Sequence, residues 1–88
     1  MTAFKAATRA EIDAALADPD PANPIAVEVA RLIETYTANF EAHCNRLGHV
    51  PTEILLAKPP SEIELVAMKL TNQAISDSLG WPLKVIWT

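Results

Sequence analysis

His43, Cys44 and His49, with Glu41 close by, are the residues whose types could ligate a metal or run thiol chemistry. Their spacing argues against both. On a helix His43 and Cys44 project about 100° apart, and no Cys-x-x-Cys or His-x-x-x-His pair is present to close a tetrahedral site. Cys44 also falls on the apolar stripe of a predicted helix, where a free cysteine behaves as a small hydrophobe. A thiol nucleophile would need a base and polarising surroundings that the sequence does not guarantee. Glu62 and Glu64 have the types of an acid and a base, but both fall in a first helical turn, where negative charge interacts favourably with the helix dipole. Gly48 and Gly80 are the only glycines, so there is no glycine-rich loop for a phosphate and no nucleotide fingerprint. The expectation is a chain without catalytic, metal-ligating or cofactor-binding residues.

Binding chemistry is the alternative. Eleven acids against seven bases leave a formal charge of −4, and the bases Lys5, Arg9, Arg31, Arg46, Lys58, Lys69 and Lys84 are scattered rather than gathered in a stripe. Direct nucleic-acid binding by phosphate neutralisation is therefore disfavoured. The closest approach to a carboxylate cluster is Asp18 with Asp20 and Glu62 with Glu64, and these four are the candidate acidic contacts to a partner. Tryptophan is enriched at interface hot spots; Trp81, at a helix end, is a candidate docking residue on even terms with a packing role, whereas Trp87 is expected in the core.

Punctuation of the chain places the elements that must carry these residues. Thr8 with Glu11 forms a capping box for a short helix over residues 9 to 17, with Ile12, Ala15 and Leu16 on its apolar face. Asp18-Pro19 stops it. Being short and alanine-rich, this helix is expected to dock on the core rather than found it. The stretch 18 to 24 is a turn or linker ending in an asparagine cap and a proline at the first helical position. From Ile25 the apolar positions Val29, Leu32, Ile33, Tyr36, Phe40, Cys44 and Leu47 recur at steps of three and four, one face of a long helix ended by Gly48. Glu53-Ile54-Leu55-Leu56-Ala57, apolar on both alternating faces and bounded by prolines, reads as a strand covered on both sides. Ser61 with Glu64 forms a second capping box for a helix reaching about Leu79. Its expected face is Ile63, Val66, Ala67, Leu70, Ala74 and Ser78, widened by Leu65, Met68, Ile75 and Leu79. Gly80 and Pro82 end it, and Leu83-Lys84-Val85-Ile86-Trp87 alternates as a second strand.

Two strands joined by one helix should run parallel in a right-handed crossover. The expected fold class is a small α/β (α+β) domain of order α-α-β-α-β, with a two-stranded parallel sheet packed with helices. At 88 residues there is room for one domain over 1–88: a short helix and proline-rich linker at 1–23, and a helix–strand–helix–strand core at 24–88. Half the residues are apolar and 20% charged, a balance that folds. One cysteine, no signal-like run and no stretch approaching the ~20 apolar residues of a membrane span point to a cytoplasmic protein with no membrane partner.

The run Gly48-His49-Val50-Pro51-Thr52-Glu53-Ile54-Leu55-Leu56 after a long amphipathic helix, followed by a proline-started helix and Gly80-Trp81-Pro82-Leu83-Lys84-Val85, resembles small accessory proteins encoded by phages and prophages. That group includes inhibitors of bacterial defence such as anti-CRISPR proteins, and the resemblance covers roughly residues 25 to 87. It implies a protein-binding inhibitor or accessory factor with no enzymatic activity. With the residue reading, it leads to a non-enzymatic module that docks on a host protein or nucleoprotein complex, and on itself as a homodimer, through a sheet edge or helix face. The rivals are a structural subunit of a larger assembly and a small enzyme using Cys44, His43 or His49.

Overall fold

Local capping sets where each helix begins and ends. In the computed structural model, which describes residues 7–18 and 20–88, α1 spans Arg9–Ala17, α2 Pro24–Leu47, β1 Glu53–Leu56, α3 Glu62–Leu79 and β2 Lys84–Trp87. The order α-α-β-α-β is the one the sequence predicts. At the head of α1 the Thr8 hydroxyl accepts from the Glu11 N–H at 3.2 Å, and the Glu11 carboxylate accepts from the Thr8 N–H at 3.2 Å. Asn23 caps α2 by accepting from the Ile25 N–H at 2.9 Å, ahead of Pro24. Only the serine half of the box expected at α3 forms: Ser61 accepts from the Glu64 N–H at 3.4 Å, and the Glu64 carboxylate does not return the bond. Gly48 and Gly80 hold φ of +78° and +80°, the left-handed conformation that lets their N–H groups bond back to Cys44 and Ser76. Asp18 closes α1 with its N–H on the Ala14 carbonyl at 3.3 Å; the proline after it, like residues 1–6, lies outside the described residues.

The core sits at one end of the helical layer. Ile12 of α1, Val29 of α2 and Ile63 of α3 are the largest fully buried side chains, joined by Ala7, Val66 and Ala67 and flanked by Leu16, Ile25, Leu32, Ile33 and Tyr36. The first halves of α2 and α3 thus face each other, so the two helices run side by side in the same direction, with α1 lying across both at their N-terminal end. This corrects the expectation that α1 merely docks. A short helix founds a core when its one large side chain plugs the groove between two longer ones, and Ile12, with no exposed surface, does so.

The face of α3 also differs from the pattern read in sequence. Ile63, Val66 and Ala67 are buried as expected, but the burial continues through Thr71, while Leu70, Ala74 and Ser78 face outward. α1 is half the length of α3 and covers only its first turns, so positions that share a face with Ile63 lose their cover farther along. Thr71 tolerates burial because its hydroxyl donates to the Ala67 carbonyl at 2.8 Å.

β1 and β2 pair in parallel with the register Glu53↔Lys84, Ile54↔Val85, Leu55↔Ile86 and Leu56↔Trp87. The ladder continues one residue each way, from the Lys84 N–H to the Thr52 carbonyl and from the Thr88 N–H to the Leu56 carbonyl, both 3.0 Å. Leu83, just ahead of β2, is buried and anchors the strand to α3, its N–H donating to Ser76 Oγ at 2.9 Å. Pro51, ahead of β1, is likewise buried.

Coverage of the sheet is the main departure from expectation. Both strands alternate exposed and half-buried. Ile54, Leu56, Val85 and Trp87 turn toward the helices, whereas Glu53, Leu55, Lys84 and Ile86 turn outward. The apolar run 54–56 signalled a strand covered on both sides, but with three helices all on one side nothing among the described residues covers the other. The radius of gyration is 13.8 Å, against about 12 Å for a compact chain of this length.

Candidate functional site

The outward face of the sheet combines four side chains in two rungs. Glu53 and Lys84 are partners in the register and form an ion pair at 3.7 Å. Two residues on, Leu55 and Ile86 are partners as well and remain 66% and 40% exposed. An aliphatic rung beside a charged one, on a strand pair whose outer edges both keep unpaired backbone groups among the described residues, presents apolar surface and hydrogen-bonding capacity together.

Behind the sheet lies a cleft of about 510 Å³. One wall is α2, with Tyr36, Phe40, His43 and Arg46; another is α3, with Met68, Thr71 and Ile75; the sheet supplies Ile54, Leu56 and Trp87. It exists because the inner side chains of a two-stranded sheet are too few to fill the space above the second halves of α2 and α3. A second hollow of about 720 Å³ lies between α3 and β2, where Lys69, Gln73 and Asp77 of α3 face Trp81, Val85 and Trp87.

The sequence-predicted contacts do not converge. Asp18 and Asp20 lie in the turn between α1 and α2, exposed, with Asp20 Oδ1 accepting from the Ala22 N–H at 2.9 Å. Glu62 is exposed and Glu64 half-buried in the first turn of α3. Since α2 and α3 start at the same end of the molecule, these four acids share that end. Trp81 lies just past the other end of α3, 43% exposed, at a remove of about 27 Å, the length of an 18-residue helix. Trp87 is half-buried and helps wall both hollows.

The metal and thiol candidates are also apart. His43 lines the cleft, Cys44 is a half-buried free thiol outside its lining, and His49 is exposed beyond the end of α2. Among the described residues no group of three His, Cys, Asp or Glu could hold a metal ion, and no helix is long and apolar enough to cross a membrane.

Three groups on α2, Glu28, Arg31 and Tyr36, are perturbed electrostatically. Arg31 pairs with Glu28 through both carboxylate oxygens, at 2.7 Å each, and this hydrogen bonding draws the Glu28 carboxyl below its ordinary value. Burial pushes the Tyr36 phenol above its ordinary value, the negative charges of Glu64 and Glu28 adding to the effect and Arg31 opposing it.

Sequence reasoning missed Leu55, Ile86 and the cleft. The register that pairs the first two was not readable from either strand alone. A strand between two helix-bearing segments also gave no sign of which face would stay bare. Comparison with family models, curated proteins and solved structures finds no match to the chain.

Proposed function

We propose that the chain is a non-enzymatic protein-binding module that docks through the outward face and open edges of its two-stranded sheet. The observation that carries the reading is Leu55, 66% exposed in the middle of a strand and paired with the exposed Ile86. Parallel sheets elsewhere are covered on both faces, and an aliphatic rung facing water is stabilised when a partner covers it. An added strand from that partner would also satisfy the edge N–H and C=O groups. The Glu53–Lys84 rung sets the charge requirement: the partner must offer both signs in register. A second copy meets that condition, since an acid beside a base is complementary to itself across a two-fold axis.

A sharper form of the reading is an inhibitor of the phage-encoded kind that the sequence resembles, in which Asp18, Asp20, Glu62 and Glu64 occupy a basic surface of a host nucleoprotein complex. The shared position of these acids at one end supports it. Its test is charge reversal at the four positions, with unchanged affinity and salt dependence counting against it. A subunit of a larger assembly would use the same bare sheet. A reducing, cytoplasmic setting is part of the proposal and is supported by the free thiol of Cys44.

Photo-crosslinking tests the docking face directly. A photoreactive residue at position 55 should give a discrete adduct in cells of the source organism, and one at the exposed Asp13 on α1 should not. An adduct of twice the chain mass identifies a second copy and any other discrete mass a different protein. Equal labelling at both positions, or none, would remove the reading.

A further inference from the structure

The cleft behind the sheet shares Glu53 and Leu55 of β1 with the docking face but opens between the helices, and its shape, walls and charge together point to a ligand class. We propose that it binds a single-chain apolar acid of medium length, with the carboxylate at Arg46 and the chain running between α2, α3 and the inner face of β1.

Size sets the first bound. A volume of about 510 Å³ falls within the roughly 300–1,000 Å³ of small-molecule sites, and it is far larger than the gaps left by imperfect packing. Shape sets the second. Tyr36 and Arg46 both line the cleft and are ten residues apart on one helix, a span of about 15 Å. The space is therefore an elongated, partly open cleft, long enough for an extended acyl chain.

The walls set the third. Phe40, Ile54, Leu56, Met68, Ile75 and Trp87 offer aromatic, aliphatic and thioether surface, and a mixture of this kind adapts to a flexible chain. The Thr71 hydroxyl asks nothing of a ligand, because it already donates to the Ala67 carbonyl at 2.8 Å. At the Tyr36 end the phenol is neutral, burial pushing its ionisation further up, and Asn39 and Asn72 add uncharged amides along the cleft. The polar end is the other one, where β1 begins at Glu53 shortly after the last turn of α2. Three groups with charge or polarity line it: His43, Arg46 and Glu53. Glu53 is matched by Lys84 at 3.7 Å, whereas Arg46 has no ion-pair partner among the described residues. The charge left to a ligand at that end is positive, so an anionic head group is selected over a cationic or neutral one. The net charge of −4 offers no long-range attraction for an anion, so affinity rests on chain burial and this local contact.

The chain has a built-in reporter. It contains two tryptophans, and Trp81→Phe leaves Trp87, in the cleft wall, as the only one. The full-length Trp81→Phe protein is titrated with decanoate, decylammonium and decanol, each below its micellar concentration, while Trp87 emission is followed. Decanoate should shift the emission saturably and bind tightest of the three. Adding Arg46→Gln should weaken decanoate by about fivefold, the upper end for an ion pair at an exposed mouth, and leave decanol unchanged. Ile75→Phe, which narrows the cleft, should weaken both, with circular dichroism checking that this variant folds. The surface change at Arg46 keeps the test decisive if it does not. No saturable response to any probe, equal or tighter binding of decylammonium or decanol, or a decanoate affinity indifferent to Arg46→Gln would overturn the proposal.

Discussion

Replacing the exposed aliphatic rung by Leu55→Thr with Ile86→Thr separates the two roles a strand residue can have. Leu55 and Ile86 are 66% and 40% exposed, so the fold already buries part of each, and threonine, which retains much of that buried volume, limits the loss of stability to about 1 kcal/mol. At roughly 4–8 °C per kcal/mol for a domain of this size, Tm should stay within about 8 °C of the parent. Threonine is β-branched, a shape that strands favour, so the ladder itself is not weakened. Docking is a different matter. Together the two exposed fractions amount to about one whole aliphatic side chain, and its burial by a partner contributes about 2 kcal/mol. The double variant should therefore bind its partner, or itself, about 30-fold more weakly. Differential scanning fluorimetry reads the first number. The second comes from calorimetry with the partner identified by crosslinking, or from light scattering across a concentration series if that partner is a second copy. A Tm loss of more than about 8 °C would show that the rung belongs to the core. An unchanged affinity with an unchanged Tm would refute the docking face.

Ile12→Ala should cost about 3 kcal/mol, a large share of the roughly 4–13 kcal/mol available to a chain of this length. Urea denaturation reads the loss, and a loss below about 1 kcal/mol would mean α1 is peripheral after all. Gly80→Ala should cost about 1 kcal/mol from backbone conformation alone, because a Cβ there meets nothing within 4 Å, and Gly80→Asn should recover part of it. Tyr36 is the only tyrosine, so absorbance at alkaline pH follows it alone. Its ionisation should fall above the ordinary phenol value in the folded protein and return to that value in urea. Because the folded form holds its proton more tightly than the unfolded form, this group's contribution is intact below the unfolded pKa and is lost as pH rises through the folded one. A native titration at or below the denatured one would contradict the burial of Tyr36.

The boundaries of the helices were legible in the sequence because the groups that set them act within a few residues, whereas the strands stop one residue short of the runs read as 53–57 and 83–87. Thr8 with Glu11, Asn23-Pro24, Gly48 and Gly80 each satisfy or release backbone groups at a helix end without help from the rest of the chain. Periodicity likewise identified Val29, Ile63, Val66 and Ala67 as core. The mismatches begin where burial depends on what lies opposite. Leu70 and Thr71 are adjacent in a helix whose apolar pattern favours the leucine, yet the threonine is buried and the leucine 41% exposed. α1 stops short of the one, while the turn of the helix brings the other toward α2. Leu55 repeats the lesson in a strand: hydrophobicity and alternation show that two faces exist, but the count and placement of the helices decide which is covered. The four acids and Trp81 could be named from residue type, yet only the parallel run of α2 and α3 put the acids at one end and Trp81 at the other. Caps and stripes are local free energies, written residue by residue. The bare aliphatic rung and the cleft behind it are properties of how many layers the chain can supply, and the described residues supply helices for one side of the sheet alone.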